Sequence, residues 1–147
     1  VTPTKKTVGI EANHAMSQVE IVLKPGNGFT ESSLSTSKVS LRLNGLKTLA
    51  TVDLASSDVT AIGPATTVIP YKDGDKYRAI VVPQQVAQSD LITVDVDGSE
   101  YKLSKSFTFV SGKRYTFTVT IAKSSSGINV SIGSWSDDGI DYGGTAN

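Results

Sequence analysis

The sequence lacks cysteine and contains a single histidine, His14, among its 147 residues. Without cysteine it forms no disulfide and offers no thiolate to a metal, and one imidazole is too few for a structural zinc site. Fourteen basic and fourteen acidic side chains cancel, so no net charge attracts a nucleic acid backbone or an anionic membrane. We therefore expect no metal, no cofactor and no nucleic acid partner.

Long apolar runs are also missing, since none approaches the roughly 20 residues that cross a bilayer. The chain begins at Val1 with neither an initiator methionine nor a signal peptide. We expect no membrane span in these residues, and we interpret the sequence as a mature or excised fragment with any export signal upstream. A chain of this length can bury one continuous core, which predicts a single domain over residues 1–147.

Threonine, valine, serine and glycine are abundant, whereas residues that favour long helices are sparse. In five segments apolar residues alternate with other residues, as in a strand with one face on a core. These are Val19, Ile21 and Leu23; Val39, Leu41 and Leu43; Ile92, Val94 and Val96; Tyr115, Phe117, Val119 and Ile121; and Ile128, Val130 and Ile132. The pattern predicts an all-β fold, an antiparallel Greek-key β-sandwich of about seven to nine strands.

Turn signals predict where these strands end. Asn44-Gly45 best tolerates the positive φ angles of a type I′ turn, so it predicts a hairpin with a return strand over residues 46–54. Asp97-Gly98 predicts a second tight turn, and residues 72–75 a third. We expect irregular structure at residues 30–37, around Gly63 and Pro64, and at residues 84–90.

Few residues have the types and spacing that catalysis or metal binding requires. A histidine-based triad would have to use His14, whose neighbours show no nucleophile motif, so a packed or hydrogen-bonded structural histidine is the simpler interpretation. The spacing of Asp137, Asp138 and Asp141 departs from the calcium-binding loop pattern, and a solvated turn fits better. Glycoside hydrolysis by two carboxylates that converge across a cleft stays an open alternative. We predict no catalytic residue.

An aromatic platform is the remaining candidate. Trp135, the only tryptophan, could stack against a sugar together with Tyr142 and Tyr71. A lone tryptophan at the end of a strand is more often a core residue. Ligand stacking at Trp135 therefore requires that its side chain be exposed.

Five short motifs follow one another along nearly the whole chain. They are Asn13-His-Ala-Met-Ser17 with the strand to Leu23; Ile80-Val-Val-Pro-Gln-Gln85; Phe107 with Gly112-Lys-Arg-Tyr115; Gly127-Ile128; and Ser134-Trp135 with the tail Gly143-Gly-Thr-Ala146. In order and spacing they resemble the fimbrillin family of Bacteroidetes surface proteins, and more narrowly its C-terminal domain. The resemblance implies the second of two transthyretin-like β-sandwich domains, with the N-terminal domain absent from these residues.

The resemblance also implies a function. Family members are exported as lipoproteins, displayed at the outer membrane and assembled into pili by exchange of β-strands between subunits. It implies a non-enzymatic fimbrial or adhesion protein at the cell surface, outer membrane or fimbrium. Its partners are other pilus subunits and a host or bacterial surface ligand. The lipidated cysteine and the cleaved leader strand of the family are missing here, so we do not expect this fragment alone to polymerise by that route.

Two segments are candidates for the exchanged strand: residues 7–12, and the tail over residues 140–146, where Ile140 and Tyr142 occupy alternate positions. An added strand pairs its backbone with an open sheet edge and places alternate side chains in pockets. Two other functions stay open. One is a secreted or surface carbohydrate-binding β-sandwich module, and the other is a hydrolase domain that uses groups near His14.

Overall fold

The computed structural model describes residues 13–122 and 129–132, which form nine strands and one short helix. In chain order these are β1 (Ser17–Pro25), α1 (Glu31–Thr36), β2 (Val39–Asp53), β3 (Asp58–Val68), β4 (Tyr71–Asp73), β5 (Lys76–Val81), β6 (Gln84–Val96), β7 (Ser99–Phe109), β8 (Arg114–Ala122) and β9 (Asn129–Ile132). Within these ranges no helix is both long and apolar enough to span a bilayer.

The strands form two sheets that share one core. The five-stranded sheet has the order β4-β5-β1-β8-β9 and the four-stranded sheet the order β3-β2-β6-β7. This architecture confirms the predicted all-β sandwich. One pair departs from the antiparallel prediction, because β1 and β8 run parallel from Gln18 opposite Arg114 to Pro25 opposite Ile121. A parallel pair needs a crossover, and here the chain between its two strands builds the whole second sheet.

Alternation of side chains along the strands supplies the core. Val19 and Ile21 of β1 are buried, and so are Leu41 and Leu43 of β2. The other buried residues of the predicted segments are Ile92, Val94, Val96, Phe117, Val119 and Ile121, whereas Leu23, Val39 and Tyr115 are half-buried. Aromatic rings of β7 and β8 meet edge to face, with 5.3 Å between the centroids of Phe107 and Phe117. The strand periodicity is therefore confirmed where the structure describes it, including the antiparallel pairing of β8 with β9.

The predicted hairpin at Asn44-Gly45 is wrong. β2 continues through this dipeptide, and the positive φ of Gly45, 73°, serves a bulge in the pairing of β2 with β3. The Asn44 amide nitrogen donates to the backbone oxygen of Asp90 at 2.8 Å and to Thr93 Oγ1 at 2.9 Å, so it fixes β2 against β6. The chain turns at residues 54–57 instead, where Ser57 has a φ of 62°.

Three predicted irregular segments are regular. Residues 30–37 contain α1, where the Thr30 and Ser33 side chains each accept a hydrogen bond from the other's backbone N–H. Gly63 and Pro64 lie inside β3, an edge strand, which is where a sheet tolerates proline. Residues 84–90 form the beginning of β6, although their polar composition predicts a connecting loop. The tight turns at Asp97-Gly98 and at residues 74–75 are confirmed.

Candidate functional site

The residues predicted for strand exchange or ligand stacking lie outside the described part of the chain. They are Ile140, Tyr142, Trp135 and residues 7–12; the acidic residues weighed for calcium, Asp137, Asp138 and Asp141, also lie outside it. Their roles stay predictions. Of the aromatic platform, Tyr71 is described, and its side chain is 74% exposed on β4.

His14 lies just before β1 and is exposed, so of the predicted packed or hydrogen-bonded histidine, the packed alternative is wrong. Its backbone carbonyl accepts a hydrogen bond from Ser111 Oγ at 3.2 Å. Gly112 approaches the same carbonyl so closely that an added Cβ would lie 3.3 Å from the oxygen. In residues 13–122 and 129–132, no three His, Asp or Glu side chains are grouped so that they could hold a metal.

A charged cluster lies on the side of the five-stranded sheet that faces away from the core. Glu20 of β1 accepts from Lys76 Nζ at 2.9 Å and from Arg78 Nε at 3.2 Å, both on β5. Arg78 also contacts Asp73 of β4, with 2.7 Å between Nη1 and Oδ2. The cluster therefore joins β1, β5 and β4, and its two positive and two negative charges cancel.

The protonation of Glu20 argues against a catalytic role for this cluster. Burial raises the pKa of the Glu20 carboxyl, but the hydrogen bonds and charges of Lys76 and Arg78 together lower it by more, so the pKa lies below its ordinary 4.5. A general acid at neutral pH needs the opposite shift. The side chain stays ionised and acts as a tie between strands.

The edges of the two sheets are a further surface feature of the described strands. Among the described strands, β3 and β7 pair on one side only in the four-stranded sheet, and β4 and β9 do so in the five-stranded sheet. β7 carries Glu100, Lys102 and Lys105, charges of the kind that discourage another strand from pairing. β4 has three residues and β9 four. β3 is 11 residues long and has no charged side chain from residue 59 to residue 68.

β3 and the second half of β2 project beyond β6. β6 pairs with β2 only from Val39 to Leu43, and the Gln84 side chain then bonds both the backbone N–H and the backbone oxygen of Lys47, each at 2.9 Å. From Leu49 opposite Ile62 to Asp53 opposite Asp58, β3 is the one described strand that pairs with β2. We call residues 49–62 the β2–β3 ribbon.

The β2–β3 ribbon exposes large apolar side chains. Leu49 and Ile62, which lie opposite each other on one face, are 58% and 40% exposed. Val52 on the other face is 54% exposed, and Leu54 at the tip is 90% exposed. The sequence does not predict this element, because Asn44-Gly45 has the composition of a hairpin turn and β2 continues through it. The available signal was the uncharged run of β3, which is long for an edge strand.

A protein-family model described as fimbrillin-like matches residues 1–135. A curated protein of Bacteroides uniformis, "Putative fimbrium subunit Fim1C", is 25% identical over 143 residues, which cover 90% of this chain and 46% of that protein. The chain thus spans about half the length of this curated relative.

Two solved structures resemble the fold. One, titled a "putative cell adhesion protein" of Bacteroides uniformis, has a TM-score of 0.65 at 24% identity and covers 85% of this chain and 51% of its own. The other, with the same description but from Bacteroides ovatus, has a TM-score of 0.60 at 17% identity and covers 84% and 45%. Both likenesses support the sandwich architecture. Because the family model matches most of the chain, this chain belongs to the fimbrillin-like family.

Proposed function

We propose that this chain is a non-enzymatic domain of a fimbrial subunit or cell-surface adhesion protein, located at the cell surface, outer membrane or fimbrium. The observation that carries the proposal is the fimbrillin-like match over residues 1–135. The proposal includes a C-terminal position for the domain and its transthyretin-like topology, both of which rest on the sequence resemblance. Its partners are other pilus subunits and a host or bacterial surface ligand.

The described surface is compatible with a building block. The ionisable cluster on the five-stranded sheet is closed by ion pairs around Glu20 rather than poised for proton transfer. Among the described strands, β3, β4, β7 and β9 each have one side without a paired strand, and such edges are where sheets from different subunits can join. Assembly by β-strand exchange in the full-length protein is therefore the mechanism we propose.

Surface labelling tests the proposed location. An antibody raised against this domain is applied to intact cells that produce the full-length protein, and labelled cells are imaged by electron microscopy. We expect label on fibres or on the cell surface, and none on cells in which the gene is deleted. Label that appears only after the cells are lysed contradicts the proposal.

Deleting residues 138–147 from the full-length protein tests the exchanged strand. We expect shorter or absent fibres if the tail pairs with a neighbour, or a lower melting temperature if it closes its own domain. Ile140→Ala and Tyr142→Ala should reproduce the effect, whereas Asp141→Ala, between them, should not. Unchanged fibres with unchanged melting remove the tail from the mechanism.

A carbohydrate-binding module is the second candidate, favoured by the exposure of Tyr71. Tyr71 lies opposite Arg78 in the β4–β5 pair, so the two side chains project from the same face of the sheet. Titration with a panel of neutral and acidic glycans, followed by calorimetry and tryptophan fluorescence, measures binding. Tyr71→Ala should weaken it at least tenfold, which corresponds to about 1.4 kcal/mol. No heat and no fluorescence change with any glycan counts against this candidate.

A further inference from the structure

The β2–β3 ribbon has two strands and exposes large apolar side chains. A two-stranded ribbon is only marginally stable in water, and three or more strands are the usual requirement. Here the pairs from Leu49–Ile62 to Asp53–Asp58 extend past β6 and leave large apolar side chains in solvent on both faces. Strands added along β3 would widen the ribbon and flank those side chains.

The charges of β3 restrict which strand can be added. An uncharged edge gives no counter-charge to the charged side chains of a partner, so the best match is another uncharged strand. Among the described edge strands β3, β4, β7 and β9, β3 is the one with an uncharged run of six or more residues. The matching strand in this chain is therefore β3 of a second copy.

Charge also selects the direction of pairing. An in-register parallel arrangement sets Asp58 of one copy beside Asp58 of the other, and like charges at that distance are destabilising. An antiparallel arrangement moves these two carboxylates to opposite ends of the paired segment. It also has two-fold symmetry, which closes the assembly at two copies.

We propose that two copies of this chain associate through the outer edge of β3, in an antiparallel pairing that joins their β2–β3 ribbons into one four-stranded sheet. The inference deepens the proposed function, because it names a subunit contact other than the tail. Pro64 has no N–H to donate, so it sets one limit of the paired segment. The two-fold axis then lies within residues 59–62.

Single cysteines locate the axis, because the native chain has none. Val59→Cys, Thr60→Cys, Ala61→Cys and Ile62→Cys are made one at a time in the 147-residue chain and oxidised mildly. Directly opposite residues in antiparallel strands have Cα atoms roughly 4.5 to 5.5 Å apart, within the range for a disulfide. We expect the disulfide-linked dimer to peak at one position and fall on both sides. Thr108→Cys, an exposed threonine on the other edge strand β7, is the matched control.

Sedimentation gives a second readout that does not depend on oxidation. The parent chain should show twice its monomer mass at high concentration and dissociate on dilution. Thr60→Lys and Ile62→Lys bring like charges together near the axis and should leave a folded monomer, whereas Thr108→Lys should still dimerise. Circular dichroism of each variant checks that the sheet is intact. A parent chain that is monomeric at every concentration, or cross-linking no greater than at Thr108→Cys, overturns the inference.

The proposed function and this inference can fail separately. Surface label that persists in Thr60→Lys, together with a parent chain that never dimerises, overturns the β3 contact and leaves the fimbrial role supported. If instead the dimer cross-links at one ribbon position but the protein is absent from the cell surface, the β3 contact is supported and the fimbrial role is overturned.

Discussion

Glu20 carries a charge where little water reaches it. Its side chain is 8% exposed, and Lys76 and Arg78 supply the partners that make the buried charge tolerable. Since these partners lower the Glu20 pKa, the folded protein binds this proton less readily than the unfolded chain does. The carboxylate therefore contributes stability above about pH 4.5, the ordinary pKa, and loses it as the pH falls through the folded pKa.

Glu20→Gln should lower the free energy of unfolding by about 1.5 to 3 kcal/mol at pH 7, the range for hydrogen bonds to charged groups. At pH 3 the difference from the parent should shrink, because the parent has lost part of the same interaction. Urea unfolding at both pH values measures it. Glu31→Gln, at an exposed position in the first turn of α1, should cost less than about 1 kcal/mol at pH 7, the usual contribution of an exposed carboxylate near a helix N-terminus. An equal deficit for Glu20→Gln at pH 7 and pH 3 contradicts the assignment.

At the scale of one element, β2 is held differently along its two halves. Among the described strands, β2 pairs with β6 from Val39 to Leu43 and with β3 from Leu43 to Asp53, so the two pairings overlap at Leu43. Asn44 stands where the two halves meet, and its side chain bonds Asp90 and Thr93 of β6 and accepts from Thr67 Oγ1 of β3 at 3.1 Å. One amide thus connects three strands at the bulge.

Asn44→Ala should reduce the free energy of unfolding by about 1 to 3 kcal/mol, because it leaves polar groups of β6 without this partner. Hydrogen exchange should rise first at the amides of residues 90–93 and 66–68. Urea unfolding and exchange mass spectrometry measure the two effects. Asn27→Ala, in an exposed loop, is the control. Equal stability for the two variants, with no local rise in exchange, shows that the amide does not hold the strands together.

For the whole molecule, local periodicity was informative and long-range pairing was not. Alternating residues such as Val19, Ile21 and Phe117 predicted the buried faces, because side-chain direction depends only on neighbours along the strand. Turn chemistry was ambiguous: a positive φ at Gly45 suits a bulge as well as a hairpin, and the partner strands decide between them.

The candidate surface was harder to predict than the core. An exposed ribbon depends on where neighbouring strands stop pairing, and β6 pairs with β2 only as far as Leu43, although β6 itself continues along β7 to Gln84. The sequence alone did predict the family, which the comparison over residues 1–135 confirms. The order of the five motifs along the chain indicates the family, even though the hairpin predicted at Asn44-Gly45 is wrong.

The parallel pair of β1 and β8 has a mechanical consequence. In a parallel pair the start of one strand and the end of the other lie at opposite ends. Tension applied between Ser17 and Ala122 therefore shears the eight paired positions from Gln18–Arg114 to Pro25–Ile121 together, rather than opening them one after another. A domain pulled along this line resists with its whole central strand pair at once.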